Sequence, residues 1–376
     1  MPHQGNPPDL QAFERDIDSL RHELGAASGP EDLRLAHRME RWGWACTALG
    51  LATCWLGPNP IAVLGLALGA FARWTVVAHH ACHGGYDRMA GAPQRWTSRA
   101  FARGWRRAID WMDWMAPDAW RHEHNVAHHY RLGEQEDPDQ PEENLGWLRR
   151  SSLPMPVRMA LVLALSLVWK PVYYAPNTMN ALLNHRRRHL GPPLPLGAWW
   201  RSLEGARRAS VVLVRCWLPY AALRFGLLPA AFLAISHDAW HAALVNLLLA
   251  ELVTNLHSFW IIVPNHAGED LPRFDRPATG RAERLWRQVV GSANYATGTD
   301  RADFLQGFLN YQIEHHVWPD LTHRQYRLAQ PLLKALCACH GVPYVQESLW
   351  RRCGKTLDVL VGRTTMPRVM TSASDP

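Results

Sequence analysis

Two apolar stretches only a few residues apart set the first limit on how this chain can fold. From Trp44 to Leu56 and from Ile61 to Val77 almost every residue is apolar, and Gly57-Pro58-Asn59-Pro60 stands between them. Each arm, extended by its flanking tryptophans, approaches the roughly 20 residues a helix needs to cross ~30 Å of hydrocarbon. A second pair runs from about Ser210 to Ile235 and from Trp240 to Val263, joined by Ser236-His237-Asp238-Ala239. The pattern predicts an all-α integral membrane protein with four transmembrane helices in two hairpins, at about 42–57, 60–78, 210–235 and 240–263. The second pair carries Arg215, Arg224 and Glu251, and charges at mid-bilayer depth are usually paired. Arg224 lies twelve residues before Ser236 and Glu251 eleven after Trp240, so antiparallel helices put them at one depth and they are expected to pair.

Neither hairpin link contains Lys or Arg, whereas the segment between the pairs carries Arg149, Arg150, Arg186, Arg187 and Arg188. The positive-inside rule places that segment, and with it both termini, in the cytoplasm. Met159 to Trp169 is apolar but too short to span before Lys170-Pro171, and reads as an interfacial or re-entrant helix. The first forty residues lack the apolar core of a cleavable signal, and Leu10, Phe13, Ile17, Leu20 and Leu24 recur at helical spacing. The expected organisation is a cytoplasmic amphipathic segment over 1–40, a membrane domain over 41–333, and a C-terminal cytoplasmic helix and tail over 334–376. A helix is expected from about Arg324 and a frayed end after Met366.

Composition excludes some functions. Hydrophobic residues are 48% of the chain and Trp numbers 19, a load suited to membrane interfaces. The charge of +7 comes almost wholly from arginine, which is spread among acidic residues without basic-aromatic stripes. Nucleic acid is therefore not an expected partner, and membrane lipid with anionic headgroups is. The seven cysteines are odd in number and read as free thiols. Cys337-Ala-Cys339-His340 lacks the second pair of ligands that a zinc site needs.

Of the 20 histidines, nine sit in three short clusters, all on the predicted cytoplasmic side. The clusters are His79-His80-Ala81-Cys82-His83, then His122-Glu123-His124-Asn125-Val126-Ala127-His128-His129, then Gln312-Ile313-Glu314-His315-His316. Residues four apart share a helix face, so His79 with His83, and His124 with His128, can each offer two imidazoles to one point. Adjacent pairs splay by roughly 100°, so His128-His129 and His315-His316 suit a centre with two metals. Imidazole-rich ligation fits Fe, Cu, Zn or Ni, and the spacing does not choose among them. A lone histidine is usually a hydrogen-bonded core residue; three clusters on one face are not explained that way.

In this order and on this side of two hairpins, the clusters resemble the histidine boxes of membrane fatty-acid desaturases. Asn310-Tyr311-Gln312-Ile313-Glu314-His315-His316-Val317-Trp318-Pro319 is similar to the third box of front-end and related bacterial acyl desaturases. The resemblance runs from about Trp42 to Leu333. It implies a centre of two iron ions, with O2 as co-substrate, held by His79, His83, His124, His128, His129, His315 and His316, and by His266 near the end of the fourth span. It also points to Asn265 as a holder of bound water, and to Gln312 at a position that is histidine in many relatives. His80 stands where the family usually has aspartate, as a ligand substitute, a hydrogen-bonding neighbour or a shaper of substrate choice. His122 is similarly ambiguous, and Glu123, Glu314 and Asp270 are candidates to orient ligating imidazoles.

The activity implied is O2-dependent desaturation of a fatty acyl chain in a bacterial inner membrane, with chemistry that belongs to the di-iron centre and no separate acid or base. Its partners would be membrane lipid and a separate electron donor, a ferredoxin or cytochrome with its reductase, because no His-Pro-Gly-Gly or Cys-x-x-Cys-His motif is present. The same boxes serve sister hydroxylases and acetylenases acting on a lipid, carotenoid or carrier-bound acyl chain. A metal transporter or sensor is a rival of another class, and it predicts histidines lining a path through the spans, where His257 alone lies clearly inside.

Overall fold

The computed structural model describes residues 9–187 and 194–369; Arg188 and the segment 370–376 lie outside the described residues. The first helix, α1 (Leu10–Ala26), is capped by the Asp9 carboxylate and buries Phe13, Ile17, Leu20 and Leu24, the apolar stripe of the sequence. The next, α2 (Pro30–Thr53), packs antiparallel to α3 (Pro60–Cys82) along a seam of small residues. Gly43 faces Ala72, Gly50 faces Leu66, and Gly69 faces Thr47, which lets the backbones approach as glycine seams do in lipid. The turn between them is held from a distance. Asn246 accepts from the Asn59 N–H and donates to the carbonyls of Cys54 and Gly57, and Gly57 itself needs a positive φ of 121°.

The second box lies on α4, a continuous helical run made of Pro117–His122, Glu123–His128 and His129–Arg131. Beyond it α5 (Met155–Ser166) turns by 81° into α6 (Lys170–Arg186). Lys170 at that bend is buried, paired with Asp113 at 2.7 Å and set over the Trp74 ring at 4.0 Å. Then come α7 (Leu203–Ala234) and α8 (His237–Ile262), followed by α9 (Arg281–Val290), α10 (Gln312–Val317), α11 (His323–Cys339) and α12 (Leu349–Leu360).

Among the described residues three helices, α3, α7 and α8, are long and apolar enough to cross a membrane, or four if the bent pair α5 and α6 counts as one span. The predicted first span falls short. Helix α2 stops at Thr53, before Trp55 and Leu56, and its first half is charged, so the apolar part from Trp42 covers only about 18 Å at 1.5 Å per residue. Leu49 and Leu56 are nonetheless exposed, continuing an apolar belt with Ile61 and Leu64 of α3, Val214 and Leu218 of α7, and Leu248 of α8.

The expected Arg224 and Glu251 ion pair does not form. Both are buried, but Glu251 accepts from Trp114, Tyr220 and Asn255 at 2.6–2.9 Å, while Nε and Nη2 of Arg224 have no partner. Counting residues fixed their depth but not the angle at which each leaves its helix. Arg215 instead grips Asp118 with both oxygens at 2.8 and 2.9 Å.

Order continues past Met366 as far as Val369, the last described residue. Short parallel strands pair β1 (Arg273–Phe274) with β4 (Arg368–Val369) and β2 (Ala293–Asn294) with β3 (Val345–Gln346). Helix α11 runs through residue 333, and Arg352 on α12 is fully buried against Asp270. The seven cysteines are free; Cys337 is buried, Cys339 exposed, and His340 bonds Asp16 at 2.7 Å.

Candidate metal centre

Just before His79, and again over Glu123–His128, the helices widen by one residue per turn. Such insertions re-aim side chains and are frequent at functional sites. They bring the first two clusters to the third, which enters on α10. His79, His83, His124 and His315 offer ring nitrogens all within 4.8 Å of one another, and His128, His266 and His316 form a second such group. His315 and His316 diverge, with rings 80° apart, and each serves a different group. His128 and His129 likewise lie at 87°, and His129 stands between the groups, 4.6 Å from His83 and 4.3 Å from His316 by ring centroids. Asp139, in the acidic stretch from Glu134 to Glu143, joins His124 and His128 in a third grouping.

The donor set suits a cation. Nε2 of His79 faces Nε2 of His124 at 2.9 Å, and Nε2 of His266 faces Nε2 of His316 at 3.3 Å. Two such nitrogens repel unless a proton or metal lies between them. Burial, with neighbouring imidazoles adding to it, holds His124, His129, His315 and His316 well below the usual histidine range, so they are neutral and their lone pairs are available. Nε2 of His83, His129 and His315 is buried without a hydrogen-bond partner among the described residues, which is costly unless something else binds there.

Three contacts orient the rings. His128 Nδ1 lies 2.9 Å from Asp137, His315 Nδ1 lies 3.2 Å from the Tyr326 hydroxyl, and His316 Nδ1 lies 2.8 Å from Gln288 Oε1. Gln288 also donates to the His129 carbonyl at 2.7 Å, tying the second box to the third. None of the three carboxylates singled out in the sequence does this work. Glu314 accepts from Tyr344 and Asn294, Asp270 holds Arg352 and Lys355, and Glu123 is wholly buried with both oxygens unpartnered among the described residues. Burial pushes the Glu314 carboxyl up to about 7.

The remaining candidates lie at the edges. His80 is turned away, with its ring 4.0 Å from His323 and 4.8 Å from Tyr86. His122 pairs with His185 at 4.3 Å, outside the cluster. Asn265 is buried and donates to Leu309 and Gln312, and Gln312 reaches His266 at 3.0 Å. His257 packs on Phe71 within the helices, 4.2 Å between rings. Asp137, Gln288, Tyr326 and His323 escaped the sequence reading. Only Asp137 carried a signal, in an acidic run beginning at Glu134, five residues after the second box.

Beside the second group opens a cavity of about 1720 Å³, whose walls include His266, Asp139, Trp169, Tyr174, Trp217 and Phe259. Trp120 stacks on His124 at 4.5 Å and donates to the hydroxyl of Tyr174, one of the cavity's wall residues.

Residues 55–348 match the fatty acid desaturase family. The chain is 52% identical to fatty acid desaturase 3 of Bos taurus over 101 residues, 26% of this chain and 21% of that one. It is 40% identical to a fatty acid desaturase 2-like protein of Mus musculus over 70 residues, 19% of this chain and 14% of that one. These matches thus span about a fifth or less of those relatives' length. An NADPH-dependent stearoyl-CoA 9-desaturase of Mycobacterium tuberculosis is 23% identical over 361 residues, 93% of this chain and 78% of that one.

Proposed function

The chain belongs to the fatty acid desaturase family, and from that premise we propose that it inserts a double bond into a fatty acyl chain with O2 and a di-iron centre. The observation that carries the proposal is the meeting of two imidazole groups, four and three residues strong, the second of which reaches the wall of a large apolar cavity through His266. His79, His83, His124 and His315 would hold one iron and His128, His266 and His316 the other, with His129 between them. Asn265, Gln312 and His80 neighbour the centre. When bound, the irons supply the O2-derived oxidising power that an unactivated methylene requires.

The residues of the chain do the rest. Asp137, Tyr326 and Gln288 fix which nitrogen each ring presents. The aromatic walls around Trp169, Tyr174 and Phe259 exclude water and hold an acyl chain in one place, so that the same two carbons meet the centre each time. Helices α3, α7 and α8 cross the membrane, the apolar end of α2 with Trp55 and Leu56 completes the first hairpin, and boxes and termini are cytoplasmic, as the arginine distribution supports. The two electrons not taken from the substrate come from a separate ferredoxin or cytochrome and its reductase.

The test is expression in a desaturase-deficient bacterial host, with fatty-acid profiling under 18O2. New double bonds without label are expected. A labelled alcohol would move the chain to the sister hydroxylases, and an unchanged profile with a working reductase present would overturn the proposal. Cysteine labelling from outside should reach residue 238 and not residue 130; the reverse would overturn the topology.

A further inference from the structure

Gln312 touches the second imidazole group at Nε2 of His266, and its neighbours settle which end of its amide faces that group. The Leu309 carbonyl can only accept, so the Asn265 atom 2.9 Å from it is the amide nitrogen. That nitrogen also lies 3.0 Å from Gln312, so the Gln312 atom facing it is the oxygen. The Gln312 amino group is therefore the end that stands 3.0 Å from Nε2 of His266, the nitrogen that faces His316. Asn265 and Gln312 are both buried, so neither amide can turn over by exchanging its bonds for water. Asn265 in this arrangement is a positioning residue: it locks the amide of its neighbour.

An amide NH2 has no lone pair to give a cation. Resting on the di-metal reading of the centre, we infer that Gln312 is a fixed hydrogen-bond donor at the three-imidazole site and not a metal ligand. It points at Nε2 of His266, next to His316, and with a metal held there it would favour an exchangeable water or anion beside these rings. A histidine at this position would supply a lone pair there. Glutamine held by Asn265 supplies a proton donor, and the second site keeps three imidazoles from His128, His266 and His316.

The experiment loads the detergent-purified full chain with Co2+ under anaerobic conditions and follows its visible spectrum, first against metal and then against azide. Wild type should take up two Co2+ per chain. Gln312→Met, close in volume but without a donor, should keep both, with azide affinity lowered about tenfold, the scale of a lost hydrogen bond to an anion. Asn265→Leu, which unlocks the amide, should also keep both metals and lose azide affinity. His266→Ala marks the loss of a true ligand. Loss of one Co2+ in Gln312→Met, as in His266→Ala, would make Gln312 a ligand and overturn the inference. Two Co2+ with azide affinity unchanged in both amide variants would overturn it as well. Fewer than two Co2+ in the wild type would instead bring down the di-metal reading beneath it.

Discussion

Asp137 Oδ1 lies 2.9 Å from Nδ1 of His128, with both side chains buried, and the Asp137 carboxylate is itself held by the backbone N–H groups of Gly133 and Asp139 at 2.9 Å. Burial presses the His128 imidazole toward the neutral form, yet Asp137, with Asp139 behind it, more than offsets this and leaves its pKa raised. Such a carboxylate fixes the tautomer, so that Nε2 is the nitrogen turned to the second group. Asp137→Asn keeps the size and loses the charge. It should weaken metal binding by about 10–100-fold while the fold stays intact. Iron content per chain after dialysis against a chelator checks this, and retention equal to wild type would remove Asp137 from the centre.

Arg352 ties the C-terminal helix to the loop that carries His266. Its guanidinium is fully buried, meets both oxygens of Asp270 at 2.7 and 2.8 Å, and donates to the carbonyls of Pro264 and Ala267. Asp270→Ala leaves the buried guanidinium only the longer contact to Glu347 at 3.5 Å and should cost about 1–3 kcal/mol. Replacing both residues with apolar ones should cost less. Thermal unfolding in detergent distinguishes the two variants, and equal melting temperatures would show the pair to be inert.

What could be read from the sequence follows from what helical periodicity encodes. His79 with His83, and the splayed pair His315 and His316, are set by local geometry, so their relative directions were readable before any fold was known. Gln288 and Tyr326 were not readable: they reach His316 and His315 from 28 and 11 residues away, through packing that no local pattern announces. His323 meets His80 for the same reason. The run of apolar residues also overstated α2, because Trp55 and Leu56 are apolar but lie past its last turn. Hydropathy reports what a segment tolerates, whereas the helix end depends on the Gly57 turn that Asn246 holds.

The seam of α2 and α3 gives a sharp test of that packing. A Cβ at Gly69 would lie 2.9 Å from the Thr47 nitrogen and 3.0 Å from the Gly43 carbonyl, backbone atoms that can move only with the whole helix. Gly69→Val should therefore destabilise the protein by about 1–3 kcal/mol, the usual cost of overpacking. Gly226→Ala, on an open stretch of α7 with nothing within 4 Å, should leave stability nearly unchanged. Chemical unfolding in detergent measures both, and a Gly69→Val protein as stable as wild type would mean that the two helices are not held this close.

Glu251 and Arg224 lead to the last prediction, which reverses the one that depth alone suggested. Three donors satisfy Glu251: the Trp114 indole at 2.7 Å, the Tyr220 hydroxyl at 2.6 Å and the Asn255 amide at 2.9 Å. A carboxylate so held does not need the arginine. Arg224 is 1% exposed, and two of its nitrogens have no partner, so its charge is a net cost to the bundle. Arg224→Met should therefore leave the melting temperature unchanged or raise it, because it removes an unpaired charge and keeps the apolar stem. Glu251→Leu should lower it, because the buried donors of Tyr220 and Asn255 lose their acceptor at about 1–3 kcal/mol each and the half-buried Trp114 indole loses its own. If the Arg224→Met variant instead melts as early as Glu251→Leu, the two charges stabilise each other after all.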